Sequence, residues 1–168
     1  MSETMPADWR DLEAVKRLKH RYMRCVDQKR WEELAELLTS DATVAYSGGK
    51  YAYEGREAIM KFLMDSMSDP GFHSSHRVTQ PEIDFTSPTT ANGIWALEDT
   101  VVDTRFDIVI QGAAFYEDRY VKGDDGLWRI QHTSYKRTFE QMWPRKAIEG
   151  LELTASLWQT GGRSSIDV

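Results

Sequence analysis

Removing a proton beside a carbonyl takes a base that works near neutrality, a group that holds that base in one tautomer, and a donor for the charge that develops on oxygen. The chain has the residue types for this. Tyr22 falls on the apolar stripe of a first helix, and Asp27 follows five residues on, near the end of that helix. A carboxylate at a helix C-terminus opposes the macrodipole, so something else should hold it. In the run 93–102 the period of two places Trp95, Leu97, Asp99 and Val101 on one face. That face is otherwise apolar, which predicts an inward Asp99 in need of a partner. Arg137 can be that partner, from a last strand where it shares a face with Gln131, Thr133 and Tyr135. Each residue also has a plainer reading: a core tyrosine, an exposed helix-end acid, a structural ion pair, a surface charge.

Of the four histidines, His20 sits in a basic helical stretch and reads as solvated. His73 and His76 flank a Ser-Ser pair where a loop enters a strand, and His132 shares a face with Trp128 and Ile130 and reads as structural. No spacing matches a His-Glu-x-x-His metal site, a phosphate-binding glycine loop or a nucleophile elbow. One histidine, two aspartates, a tyrosine and an arginine remain, a set suited to proton transfer without cofactor or metal.

The elements that must position this set follow from periodicity. Leu12, Val15, Leu18, Tyr22 and Cys25 predict a helix over 8–28, and Trp31, Leu34, Leu37 and Leu38 a short one over 30–38. Two strand-like runs flank Gly48-Gly49 and predict a hairpin. Ile59, Phe62, Leu63 and Met67 predict a third helix over 56–67. Four long strand candidates follow, at 76–85, 91–104, 106–122 and 127–139, with turns at Ser87-Pro88 and at 123–126. Helices first and strands later mean α+β rather than alternating α/β. The expected architecture is a cone, a curved antiparallel sheet wrapped on the helices with a deep pocket at its open end. The expected domain is 1–143. An extension over 144–168 is expected to be helical across 147–158 and then disordered.

The chain has 168 residues, a formal charge of −6 and one cysteine. That length suits one domain. The acidity argues against nucleic acid, and a single Cys rules out an intrachain disulfide. No apolar run reaches a membrane span and the N-terminus lacks a secretory h-region, so the expectation is a cytoplasmic protein. Apolar residues fall on both faces of the 106–122 strand: Phe106, Ile108 and Ile110 on one, Val109 and Phe115 on the other. One face lines the cone, so the other needs cover from a helix or a second subunit.

The stretch 19–34, His76 with the Gln-Pro-Glu-Ile motif at 80–83, Trp-Ala-Leu-Glu-Asp at 95–99, and the runs 112–120 and 134–140 together resemble the bile acid 7α-dehydratases. These belong to the SnoaL-like branch of the nuclear-transport-factor-2-like (NTF2-like) superfamily. The resemblance covers about residues 8–142. It implies an α+β cone, a homo-oligomer with a trimer preferred, no metal and no organic cofactor. It also implies five site residues: Tyr22, Asp27, His76, Asp99 and Arg137. His76 would be the base, Asp27 its orienting acid and Tyr22 the oxyanion donor, while Asp99 and Arg137 would bind substrate and assist the leaving hydroxyl. The implied substrate is a small hydrophobic steroid. Scytalone dehydratases and dehydrochlorinases share the Asp–His pair, so the pair alone does not choose the substrate. The tail after Pro144 does not match the family pattern.

Overall fold

The structure is a computed structural model that describes residues 8–166. Helix α1 spans Trp9–Asp27. The Asp8 side chain caps its start by accepting the Arg10 N–H at 3.0 Å. Val15, Leu18, Tyr22, Met23 and Val26 turn inward along one stripe. Helix α2 is one short turn, Trp31–Glu36, and α3 runs Arg56–Met67. The strands are β1 (Leu38–Tyr46), β2 (Tyr51–Glu54), β3 (Phe72–Ser87), β4 (Thr90–Asp103), β5 (Ile108–Lys122) and β6 (Trp128–Pro144).

They form one sheet in the order β2-β1-β6-β5-β4-β3. Every pairing is antiparallel except β1 with β6, which is parallel. The helices cover one face and build a single core with Trp95, Leu97, Tyr116, Tyr120 and Ile130 of the sheet. Bulges break the long strands, and each bends its strand and flips the following side chains to the opposite face. In β3 the register slips between Thr79 and Glu82, where Gln80 takes φ 51° before Pro81. In β6 it slips at Gln131 and again at Thr138.

Several expectations are corrected. His132 does not share the inward face of Trp128 and Ile130. The bulge at Gln131 turns it outward, where its Nδ1 bonds Thr43 Oγ1 at 2.7 Å. His73 and His76 lie within β3, not at its mouth. Phe106 lies in the turn before β5, not on its face. Residues 147–158 form no α-helix; after β6 there is one 3-10 turn, Arg145–Ala147. Residues 159–165, expected to be disordered, make hydrogen-bonded turns, among them Thr160 N–H to Ser156 O at 2.9 Å and Ser165 N–H to Thr154 O at 2.7 Å. Trp158 from this segment lies against the Lys29 ammonium, 4.4 Å from ring centroid to nitrogen. Among the described residues, no helix is long and apolar enough to cross a membrane.

Candidate active site

Asp27 is the last residue of α1 and points its carboxylate at β3. The helix end repels that charge, and three donors from β3 offset it. Ser74 Oγ donates to Oδ1 at 2.8 Å, the His76 backbone N–H to Oδ2 at 2.9 Å, and His76 Nδ1 lies 2.6 Å from Oδ1. Both residues are sheltered, with side-chain exposures of 12% for His76 and 22% for Asp27. A carboxylate can only accept, so it holds the proton on Nδ1 and leaves Nε2 with a free lone pair.

His76 forms part of the wall of a cavity of about 260 Å³ between the helices and the inner face of the sheet. Five tyrosines, Tyr22, Tyr46, Tyr51, Tyr116 and Tyr135, face the same space, and Phe62, Leu63 and Met67 of α3 supply an apolar side. The Tyr22 and Tyr46 hydroxyls bond to each other. Burial pushes both phenols up from their ordinary value, so both stay protonated and able to donate. Tyr46 was not singled out in the sequence, where it looks like one more alternating residue of β1.

Asp99 is inward and buried, as its period predicted. It stands directly across from His76 in the β3–β4 register and across from Gly112 in the β4–β5 register. Directly opposed residues have Cβ atoms roughly 4.5–5.5 Å apart, so His76 and Asp99 are neighbours. Arg137 of β6 reaches over Gly112 to clasp Asp99 through both Nη atoms, with Nη2 to Oδ2 at 2.9 Å. Gly112 leaves room for this: a Cβ there would lie 3.0 Å from Arg137 Nη1 and 2.7 Å from Phe139 O. The bulge at Gln131 puts Thr133, Tyr135 and Arg137 on the inner face, and the one at Thr138 turns Phe139 outward. The five residues thus form two linked pairs and a tyrosine. Tyr22 and His76 line the 260 Å³ cavity, and Asp99, clasped by Arg137, stands beside His76 on the same inner face of the sheet.

A buried polar chain beneath the tyrosines was missed. Lys19 Nζ lies 2.7 Å from Asp118 Oδ2, and both side chains are fully buried. Tyr120 donates to the same oxygen at 2.6 Å and accepts from Trp95 Nε1 at 2.9 Å. The signal was available, because Lys19 lies four residues from Val15 and three from Tyr22, on the helix face that points inward. Asp118 alternates with Tyr116 and Tyr120 in the same way. Among the described residues, no three His, Cys, Asp or Glu side chains are grouped as metal ligands.

The sequence profile of the SnoaL-like domain matches residues 7–134. The chain belongs to the SnoaL-like family. Its architecture is the NTF2-like cone, and solved structures repeat it. A protein named as a candidate scytalone dehydratase, from Novosphingobium aromaticivorans, aligns with a TM-score of 0.73 at 24% identity, over 98% of this chain and all of its own. Hexachlorocyclohexane dehydrochlorinase LinA-type3 from Novosphingobium barchaimii aligns at 0.73 and 19%, over 86% of this SnoaL-like chain and 94% of its own. ActVI-ORFA from Streptomyces coelicolor aligns at 0.65 and 16%, over 76% and 96%. At these identities the likeness is one of fold.

Proposed function

We propose that this SnoaL-like protein is a cofactor-independent lyase that eliminates water from a hydroxylated enone, with His76 as the general base. The observation that carries the reading is the Asp27–His76 contact of 2.6 Å at the wall of a tyrosine-lined cavity. It supplies a base of fixed tautomer beside donors suited to an enolate oxygen. The names of the dehydratase and dehydrochlorinase structures agree with an elimination. The sequence resemblance narrows the substrate to a 7α-hydroxy-3-oxo-4-ene bile acid or its coenzyme A thioester.

In that reaction His76 Nε2 takes the C6 proton, and the C6–H electrons move into a dienolate whose charge rests on the C3 oxygen. One hydroxyl of the Tyr22–Tyr46 pair donates to that oxygen while accepting from the other. Collapse of the dienolate breaks the C7–O bond, and the departing hydroxide takes a proton from the His76 imidazolium and leaves as water. The product is the 4,6-diene. Asp27 stabilises the imidazolium, and Asp99, held by Arg137, anchors the polar side of the substrate next to His76. No metal or organic cofactor enters the scheme.

At about 260 Å³ the cavity lies just under the usual range of ligand pockets, roughly 300–1,000 Å³. A steroid would enter ring-first and leave its side chain outside. The same volume favours, as a second reading, a smaller aromatic or polyketide hydroxy-ketone. The deciding experiment incubates the protein with a 7α-hydroxy-3-oxo-4-ene steroid and, separately, with a bicyclic hydroxy-ketone. The expected result is the red-shifted dienone absorbance with the steroid; turnover of the bicyclic compound alone selects the second reading, and turnover of neither rejects the elimination. The working unit is a homotrimer, supported by the exposed Ile94, Phe115 and Phe139 on the outer sheet face. Light scattering at micromolar concentration should give three times the chain mass; a monomer refutes it.

A further inference from the structure

The elimination scheme leaves the most expensive group in the molecule unused. Lys19 is fully buried, and taking two charges out of water costs more than their attraction often returns. Apolar replacement of a buried ion pair is often neutral or stabilising. The position of the pair suggests why it is charged. Lys19 Nζ sits 3.5 Å from the Tyr116 ring centroid and 5.3 Å from that of Tyr22, and both rings face the cavity. Asp118 lies two residues beyond Tyr116 on β5, 2.7 Å from Lys19 Nζ, and is tethered by Tyr120, which Trp95 holds in turn. The ammonium therefore lies against the tyrosine rings, while the Asp118 carboxylate is taken up by Lys19 and Tyr120. A cation on an aromatic face draws on the ring's electron density, which makes a phenol a stronger donor to an oxyanion. Thr133 Oγ1, 3.4 Å from Lys19 Nζ, completes its surroundings.

We propose that Lys19 is a positioning residue of the oxyanion site: the Lys19–Asp118 pair forms a fixed electrostatic floor through which Tyr22 and Tyr116 hold an enolate or phenolate oxygen. The kind of ligand oxygen rests on the elimination reading above, but the test does not need turnover.

The probe is 2-naphthol, a bicyclic phenol sized for the cavity, whose neutral and ionised forms differ in absorbance. Bound at a fixed mildly alkaline pH, wild type should hold a larger ionised fraction than free naphthol shows. Lys19→Met strands the Asp118 carboxylate and should abolish the ionised form. Lys19→Met/Asp118→Asn removes both charges and keeps an acceptor for Tyr120, so it should fold. Its ratio of naphtholate to naphthol should still fall about tenfold below wild type, as expected for losing one nearby partly compensated charge. With a confirmed substrate, the double variant should lose kcat by a similar factor with little change in KM. A merely structural pair predicts instead that the double variant recovers the wild-type ratio. That recovery, or failure of wild type to bind naphthol or favour its ionised form, overturns the proposal. A wild type that ionises naphthol yet turns over no hydroxy-enone rejects the elimination and leaves Lys19 in its assigned role.

Discussion

Replacing Asp27 by Asn tests the base most directly, because the two side chains have the same shape and differ in what they can accept. The carboxylate receives three donors: Ser74 Oγ and His76 Nδ1 at Oδ1, and the His76 backbone N–H at Oδ2. Asn has one acceptor and one donor end. With its oxygen at the Oδ1 position, its NH₂ meets the His76 backbone N–H, two donors face to face. With its NH₂ at the Oδ1 position, it meets His76 Nδ1 and forces the proton onto Nε2, so no lone pair faces the cavity. The second arrangement loses the base; the first keeps the tautomer but loses the carboxylate charge that stabilises the imidazolium. General-base contributions run about 10²–10⁴-fold, which is roughly 3–5 kcal/mol of barrier. One unsatisfied donor costs about 1–3 kcal/mol of stability, so Tm should fall by a few degrees while the fold persists. The assay is dienone formation under saturating substrate, with circular dichroism and ligand binding as controls. His76→Ala should cost a similar factor, and the double variant little more, since the two act as a unit. An Asp27→Asn protein that stays within about threefold of wild type would make Asp27 an ordinary helix-end acid, and the base would have to be sought around Asp99.

Gly112→Ala should lower stability by about 1–3 kcal/mol, seen as a lower urea midpoint, and reduce turnover, because its new Cβ must displace Phe139 O or Arg137; an unchanged midpoint would show that β5 has slack. Arg137→Met should cost about 3–5 kcal/mol by leaving the buried Asp99 charge without its clasp. Arg137→Met/Asp99→Leu should recover most of that loss in chemical denaturation, and a double variant no more stable than the single one would count against the pairing. His73 gives a pH test. Burial, with Lys29 and Arg145 nearby, pushes its pKa down from the ordinary 6.5, against the pull of Asp103, and its Nε2 has no partner among the described residues. The folded state then binds the proton less tightly than the unfolded one, so the stability is fully present above about 6.5 and is lost as pH falls below it. His73→Gln should therefore flatten Tm against pH between neutrality and the weakly acidic range; a profile as steep as wild type would assign that loss to other groups.

Periodicity in the sequence determined the three helices, the Gly48-Gly49 hairpin, the four long strands and the inward Asp99, because spacings of 3.6 and 2 are local properties of the chain. The side chains of Tyr22, Asp27 and Asp99 could be picked out for the same reason: each breaks an apolar pattern or opposes a helix end. Only the tertiary structure decided which of them meet. Asp27 and His76 are 49 residues apart, and Lys19 and Thr133 are 114 apart. The faces of β6 were also beyond local reasoning, since one extra residue at Gln131 turned His132 outward and put Thr133, Tyr135 and Arg137 inward, and another at Thr138 turned Phe139 out. Lys19 was hidden by its type: a lysine in a basic run reads as solvated until the strand that carries Asp118 closes over it. The segment after Pro144 has no period, so its turns and the contact of Trp158 with Lys29 come from surfaces that exist only once the cone has formed.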